Sequence, residues 1–228
     1  MFKNIKLIGT SHISQDSIKE IKKGMDSFKP DIVAVELDIK RYHSLISRQK
    51  NNSIPPIFKI GITGTLFLLI GRFIQKKLGS VVGIDPGSEM KKAIELAQKN
   101  NLELRFIDRD IQITLKRFSQ EFTWKDKLRI IKDLIKAPFM KKSNIIKNYD
   151  FDLTKVPDEK LIEKLVSQLK EKYPSIHKTL IDERDKYMAK KLFKLRKNNP
   201  EKKILFVFGA GHKQGLKKYY KELYYSNP

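Results

Sequence analysis

The stretch Pro30-Asp31-Ile32-Val33-Ala34-Val35-Glu36-Leu37-Asp38 decides the fold. Four consecutive apolar, largely β-branched residues with no polar alternation suit a strand covered on both faces, as in a parallel sheet. Upstream, Ile5 to Ile8 reads as a short strand followed by the turn Gly9-Thr10-Ser11-His12, with Ser14 capping a helix through about Phe28. Downstream, Leu102 to Ile107 reads as a third strand ending in Asp108-Arg109-Asp110. The last strand, Ile204 to Phe208, is again continuously apolar and runs into Gly209-Ala210-Gly211-His212 and a final helix through about Leu223. The pattern predicts an α/β fold with a central mixed or parallel sheet flanked by helices. A chain of 228 residues fits one such domain.

Between the third and last strands lie long, lysine-rich helical patterns at Trp124 to Ile135, Asp158 to Tyr173 and Ser175 to Leu195, predicted as a helical insertion over about 119–200. Asn148 to Pro157 reads as a linker within it. The most apolar segment, 57–74, is broken by Lys59, Gly61, Gly64 and Arg72. A membrane span needs roughly 20 predominantly apolar residues, so this segment is read as a buried or partner-facing helix. Gly61, Gly64 and Gly71 would let a second copy approach it closely, which makes a homodimer contact through 57–74 an expectation. Asp85-Pro86-Gly87 is a turn signal, and Ser88 opens a helix whose buried stripe is Met90, Ala93, Ile94 and Ala97.

With no cysteine in the chain, disulfides, zinc-thiolate sites and cysteine nucleophiles are excluded, which leaves histidines and carboxylates as the chemical groups. The N-terminus runs straight into a strand without the segments of a signal peptide, so a cytoplasmic location, at most peripheral to a membrane, is expected. The net charge of +22 invites a nucleic-acid reading. Its lysines are spread along nearly every helix and match no standard nucleic-acid module, so nucleic acid is not an expected partner.

In open α/β sheets, ligands bind beyond the carboxyl ends of the strands. His12, Glu36, Asp108 and His212 all fall at such ends. The two Gly-x-x-His turns lie 200 positions apart and account for two of only four histidines. Two imidazoles and a carboxylate suit a divalent ion such as manganese, cobalt or zinc, and without metal the same trio could serve as base, acid and orienting group. Blander readings stand beside these: each histidine as a satisfied hydrogen-bonding group, Glu36 in a salt bridge with Arg41 or a lysine, Asp108-Arg109-Asp110 as an ion-paired helix start, and Glu183-Arg184-Asp185 as a solvated helix face. His43 and His177 look like surface residues.

Taken in order, Gly9-Thr10-Ser11-His12-Ile13-Ser14, the stretch at 30–38 with Arg41, Pro86-Gly87-Ser88-Glu89-Met90, Ile107-Asp108-Arg109-Asp110-Ile111 with Arg117, Glu183-Arg184-Asp185 and Gly209-Ala210-Gly211-His212 resemble the TraB/PrgY family. The resemblance covers roughly residues 4–218. It implies a domain shared with bacterial pheromone-shutdown proteins and, more distantly, with Tiki metalloproteases and erythromycin-esterase-like or ChaN-like proteins. Carried onto this chain, the metal-binding and catalytic positions would be His12, Glu36 and His212. Arg109 and Arg184, with Asp108 and Glu183 beside them, would bind substrate. The expected function is metal-dependent hydrolysis of a peptide or amide bond, or else non-catalytic binding of a peptide or small-molecule ligand. Many archaeal-type members look longer, with a hydrophobic membrane region after the Gly-x-x-His turn, and the resemblance is not taken to imply a membrane anchor here.

Overall fold

A computed structural model gives the structure of the protein and describes residues 2–10, 15–46, 88–136 and 159–226. His12, the segment 57–74, the turn at 85–87 and the linker at 148–157 lie outside the described residues. In chain order the elements are β1 (Ile5–Thr10), α1 (Gln15–Phe28), β2 (Ile32–Val35), α2 (Ile39–Ile46), α3 (Ser88–Lys99), β3 (Glu103–Phe106), α4 (Ile111–Glu121), α5 (Trp124–Lys136), α6 (Glu159–Lys172), α7 (Pro174–His177), a π-helical turn (Lys178–Asp182), α8 (Glu183–Asn198), β4 (Ile204–Gly209), a single 3-10 turn (Ala210–His212) and α9 (Lys213–Ser226).

The four strands form one sheet in the order β1-β4-β2-β3, and every pairing is parallel. The last strand of the chain is therefore inserted between the first and the second. That placement matches composition: β2 and β4, the two continuously apolar runs, are buried along their whole length in the centre of the sheet. The charged Glu103 and Arg105 go to β3 at one edge, where Glu103 also meets Lys202 at 2.7 Å.

Alternation along the central strands divides the core into two layers. Ile32, Ala34, Ile204, Phe206 and Phe208 face α8 and α9, packing on Met188, Ala189, Leu192, Leu216 and Tyr220. Val33, Val35, Leu205 and Val207 face α1 and α3, packing on Ile21, Met25, Met90, Ala93, Ile94 and Ala97. Both faces are thus covered by helices, as the apolar runs require. Full burial of each large side chain here contributes about 1.5–3 kcal/mol. The described helices α4 to α8 all lie between β3 and β4 in the chain, where the helical patterns place them.

Candidate functional site

The strands deliver their carboxyl ends in a row. The β2–β4 ladder continues past β2, with the Glu36 amide donating to Val207 O at 3.0 Å. The β2–β3 ladder does the same, with the Ile107 amide donating to Val35 O and the Asp108 amide to Leu37 O. Glu36 and Asp108 are consequently fixed by main-chain pairing at the ends of β2 and β3, His212 follows β4 in the 3-10 turn, and all three are buried. Thr10, the end of β1, is aligned with Gly209 and donates its hydroxyl to Phe208 O at 3.2 Å. His12 follows two residues later.

Arg184, from the first turn of α8, is the hub. Its Nε and Nη2 grip Asp108 at 3.1 and 2.7 Å, its Nη2 also donates to Glu36 Oε1, and its Nη1 donates to Leu180 O at 3.2 Å and lies 3.1 Å from His212 Nε2. Protein groups thus face all three guanidinium nitrogens, and the N–H aimed at the His212 ring finds an acceptor there only when Nε2 carries no proton. Glu36 uses its other oxygen, Oε2, to accept from the Gly209 amide at 2.6 Å. Asp108 receives further bonds from the Arg109 amide at 2.7 Å and from Arg41 at 3.3 Å. The salt bridge expected between Glu36 and Arg41 is therefore replaced: Glu36 pairs with Arg184, and Arg41 with Asp108.

His212 is held from both ring nitrogens. Nδ1 lies 2.6 Å from Asp185 Oδ1, and Nε2 lies 3.2 Å from Glu36 Oε1. Burial alone would favour the neutral ring, but the Glu36 charge and the bond to Asp185 outweigh it and bring its pKa up to about 9. Burial likewise lifts Asp185, and the His212 bond only partly offsets this, leaving it at about 6. Arg184 is pushed further up by Glu36 and Asp108, although burial opposes the shift.

Asp185 is a residue that sequence reasoning left out of the candidate site. A signal for it existed: with Met188, Ala189 and Leu192 it completes the buried stripe of α8, and it is 2% exposed. A carboxylate inside an apolar stripe requires a partner. Gly215, on α9, was also passed over. A Cβ there would meet Asp185 Oδ2 at 1.9 Å, so the carboxylate rests directly on the glycine backbone.

The triplet Glu183-Arg184-Asp185 is not a solvated face, because each member points into the protein toward a charge partner. Glu183 accepts from Arg109 Nη1 at 2.8 Å and from Arg117 Nη2 at 2.9 Å. Arg109 also donates Nε to Thr114 at 3.0 Å and Nη2 to Thr179 O at 3.0 Å. Arg109 and Arg184 are both engaged by protein groups. The π-helical turn before α8 supplies one carbonyl to each, from Thr179 and Leu180, and such turns recur at functional sites. Asp110 behaves as the helix-start reading expects, capping α4 through the Gln112 amide at 2.8 Å. His43 is exposed, and His177 is half-buried with its pKa lowered by burial.

An imidazole nitrogen and a carboxylate oxygen, donor types that a divalent ion takes, lie 3.2 Å apart, and among the described residues no group of three or more such side chains is placed to hold an ion. Both atoms also face Arg184, so an ion there would compete with a guanidinium for the same lone pairs. Among the described residues, no helix is long and apolar enough to cross a membrane.

Comparison with known proteins bears out the family resemblance. A protein of Methanocaldococcus jannaschii, MJ1365, is 42% identical over 224 residues, covering 96% of this chain and 54% of that protein. TraB domain-containing proteins of mouse and human are each 25% identical over 239 residues, covering 94% of this chain and 62% of theirs. The chain therefore spans between about half and two thirds of the length of these relatives. The sequence model of the TraB/PrgY/gumN family matches residues 3–224, nearly the whole chain, and the chain belongs to that family.

Proposed function

We propose that the protein is a hydrolase of peptide or amide bonds whose working groups are Glu36 and His212. The observation that carries this reading is the line Asp185–His212–Glu36, in which one buried imidazole is held between two carboxylates at the carboxyl ends of the central strands. Asp185 fixes the ring and stabilises its charged form. Glu36 takes a proton from water as the water oxygen bonds to the carbonyl carbon. His212 gives its Nε2 proton to the leaving nitrogen as the C–N bond breaks, and the proton held by Glu36 returns to His212 across the 3.2 Å between them. Arg184 is a positioning residue, holding Glu36 and Asp108 in register through its bonds to both.

If the site takes manganese, cobalt or zinc, Glu36 and His212 would hold it, with His12 as the further ligand that the family resemblance implies. The ion would supply a bound water with a pKa of about 7. The test is cleavage of a fluorogenic peptide library by purified protein, with and without chelator and with each metal restored. Glu36→Gln and His212→Gln should each lower the rate by about 10²-fold or more. Unchanged rates in both variants, or binding of peptides with no cleavage under any metal condition, would overturn the hydrolase reading; the latter would leave a ligand-binding protein.

A further inference from the structure

A groove of about 1060 Å³ runs beside β1 and reaches the candidate site at Asp185, Ala210 and Gly211. Four consecutive residues of β1, Lys6, Leu7, Ile8 and Gly9, line it. Side chains of a strand alternate between faces, so an unbroken run can line one cavity only through its edge, where the backbone N–H and C=O groups stand. β1 is the outer strand of the sheet, and among the described residues no strand pairs with its free edge. An unpaired edge of this kind accepts an added strand by main-chain hydrogen bonds.

The walls of the groove are basic. Lys23 comes from α1, which covers one face of the sheet, Lys217 from α9 on the other face, and Lys170 from α6. All three are exposed, and none has a carboxylate partner among the described residues. Of the acids in the same lining, Asp185 is paired with His212, and Asp182, which accepts from Tyr219 at 2.6 Å, Glu20 and Glu163 stand against six lysines. A strand lying on β1 would send alternate side chains toward α1 and toward α9, so it meets lysine on both sides.

We propose that this groove binds an extended acidic peptide as an added strand on β1. Past Gly9 the groove is lined by Ala210, Gly211 and Asp185, the carboxylate that holds His212, so the bound strand is directed toward the candidate site. At about 3.3 Å per residue, the four lining residues of β1 accommodate four or five peptide residues. The proposal deepens the hydrolase reading by naming its substrate class, and depends on that reading only for the fate of the bound peptide.

The experiment is fluorescence anisotropy on the full chain, with a fluorescein-labelled octapeptide alternating glutamate and valine, at physiological salt. Three further peptides are run in parallel: the same sequence N-methylated on each of its two alternate sets of backbone amides in turn, and a version with lysine for glutamate. The combined Lys23→Glu, Lys170→Glu, Lys217→Glu variant should lose at least tenfold in affinity. A control with equal net charge, Lys99→Glu, Lys125→Glu, Lys194→Glu, changes exposed lysines outside the groove and should bind as wild type does. N-methylation on one set of amides should abolish binding, and the lysine peptide should not bind. Equal losses in both variants, or indifference to N-methylation, would mean diffuse attraction to a basic surface and would overturn the proposal, as would no binding at all. Binding as described without cleavage would uphold the groove and overturn the hydrolase reading instead.

Discussion

Gly215 tests the site without touching a charged group. In Gly215→Ala, the new methyl must displace the Asp185 carboxylate, because 1.9 Å to Oδ2 and 2.6 Å to Cγ leave no room for it. The variant should lose about 1–3 kcal/mol of stability. The His212 ring, whose pKa the Glu36 charge and the Asp185 bond push up to about 9 against the effect of burial, should titrate lower once its carboxylate partner has moved; ring-proton NMR against pH reads both proteins. Because the folded-state pKa of His212 lies above the ordinary 6.5, its contribution to stability is complete below pH of about 6.5 and is lost as pH rises through about 9. Wild-type melting temperature should fall across that window more steeply than that of the variant. An identical ring titration in the two proteins would contradict the role given to Asp185. This is also where sequence reading reaches its limit. Glu36, Asp108 and His212 were legible because each follows an apolar strand, and strand ends converge in any such sheet. Their wiring was not: the exchange of partners between Arg41 and Arg184 depends on where α8 docks, 148 positions away from Glu36 in the chain.

At the level of elements, Glu183 ties three parts of the chain together: Arg109 after β3, Arg117 on α4, and its own helix α8. Burial would raise its pKa, but the two guanidinium groups overcome this and hold the carboxyl below its usual range. A depressed folded-state pKa contributes stability above the unfolded value of about 4.3, and that contribution is lost as pH falls through the folded value. Glu183→Gln should therefore be less stable than wild type by about 1–3 kcal/mol at pH 7, with the difference shrinking below pH of about 4. Chemical denaturation at the two pH values checks this, and a pH-independent gap would point to lost packing instead of lost charge. The elements themselves were largely readable. Ser88 opening α3 and Trp124 opening α5 fall where capping and periodicity put them. The π-helical turn at Lys178–Asp182 was not, since nothing in Lys178-Thr179-Leu180-Ile181-Asp182 departs from an ordinary helical pattern. Its carbonyls serve a remote partner, Arg109, at Thr179 O and a local one, Arg184, at Leu180 O.

For the whole molecule, the sheet order carries the consequence. β4 stands between β1 and β2, which do not pair with each other. Both layers of the core are completed by residues of this one strand, with Phe206 on one side and Val207 on the other. A chain ended at Asn199 should accordingly show no cooperative unfolding transition by calorimetry, and a sharp transition in that fragment would contradict the account. Composition made β4 recognisable as a strand but gave no sign of its position, because a continuous apolar run says only that both faces are covered. During synthesis, the first two strands leave the ribosome with an empty slot between them, and they wait for most of the chain before it is filled. The strand that fills the slot carries His212 at its end. The central sheet and the Asp185–His212–Glu36 line are thus completed by the same few residues.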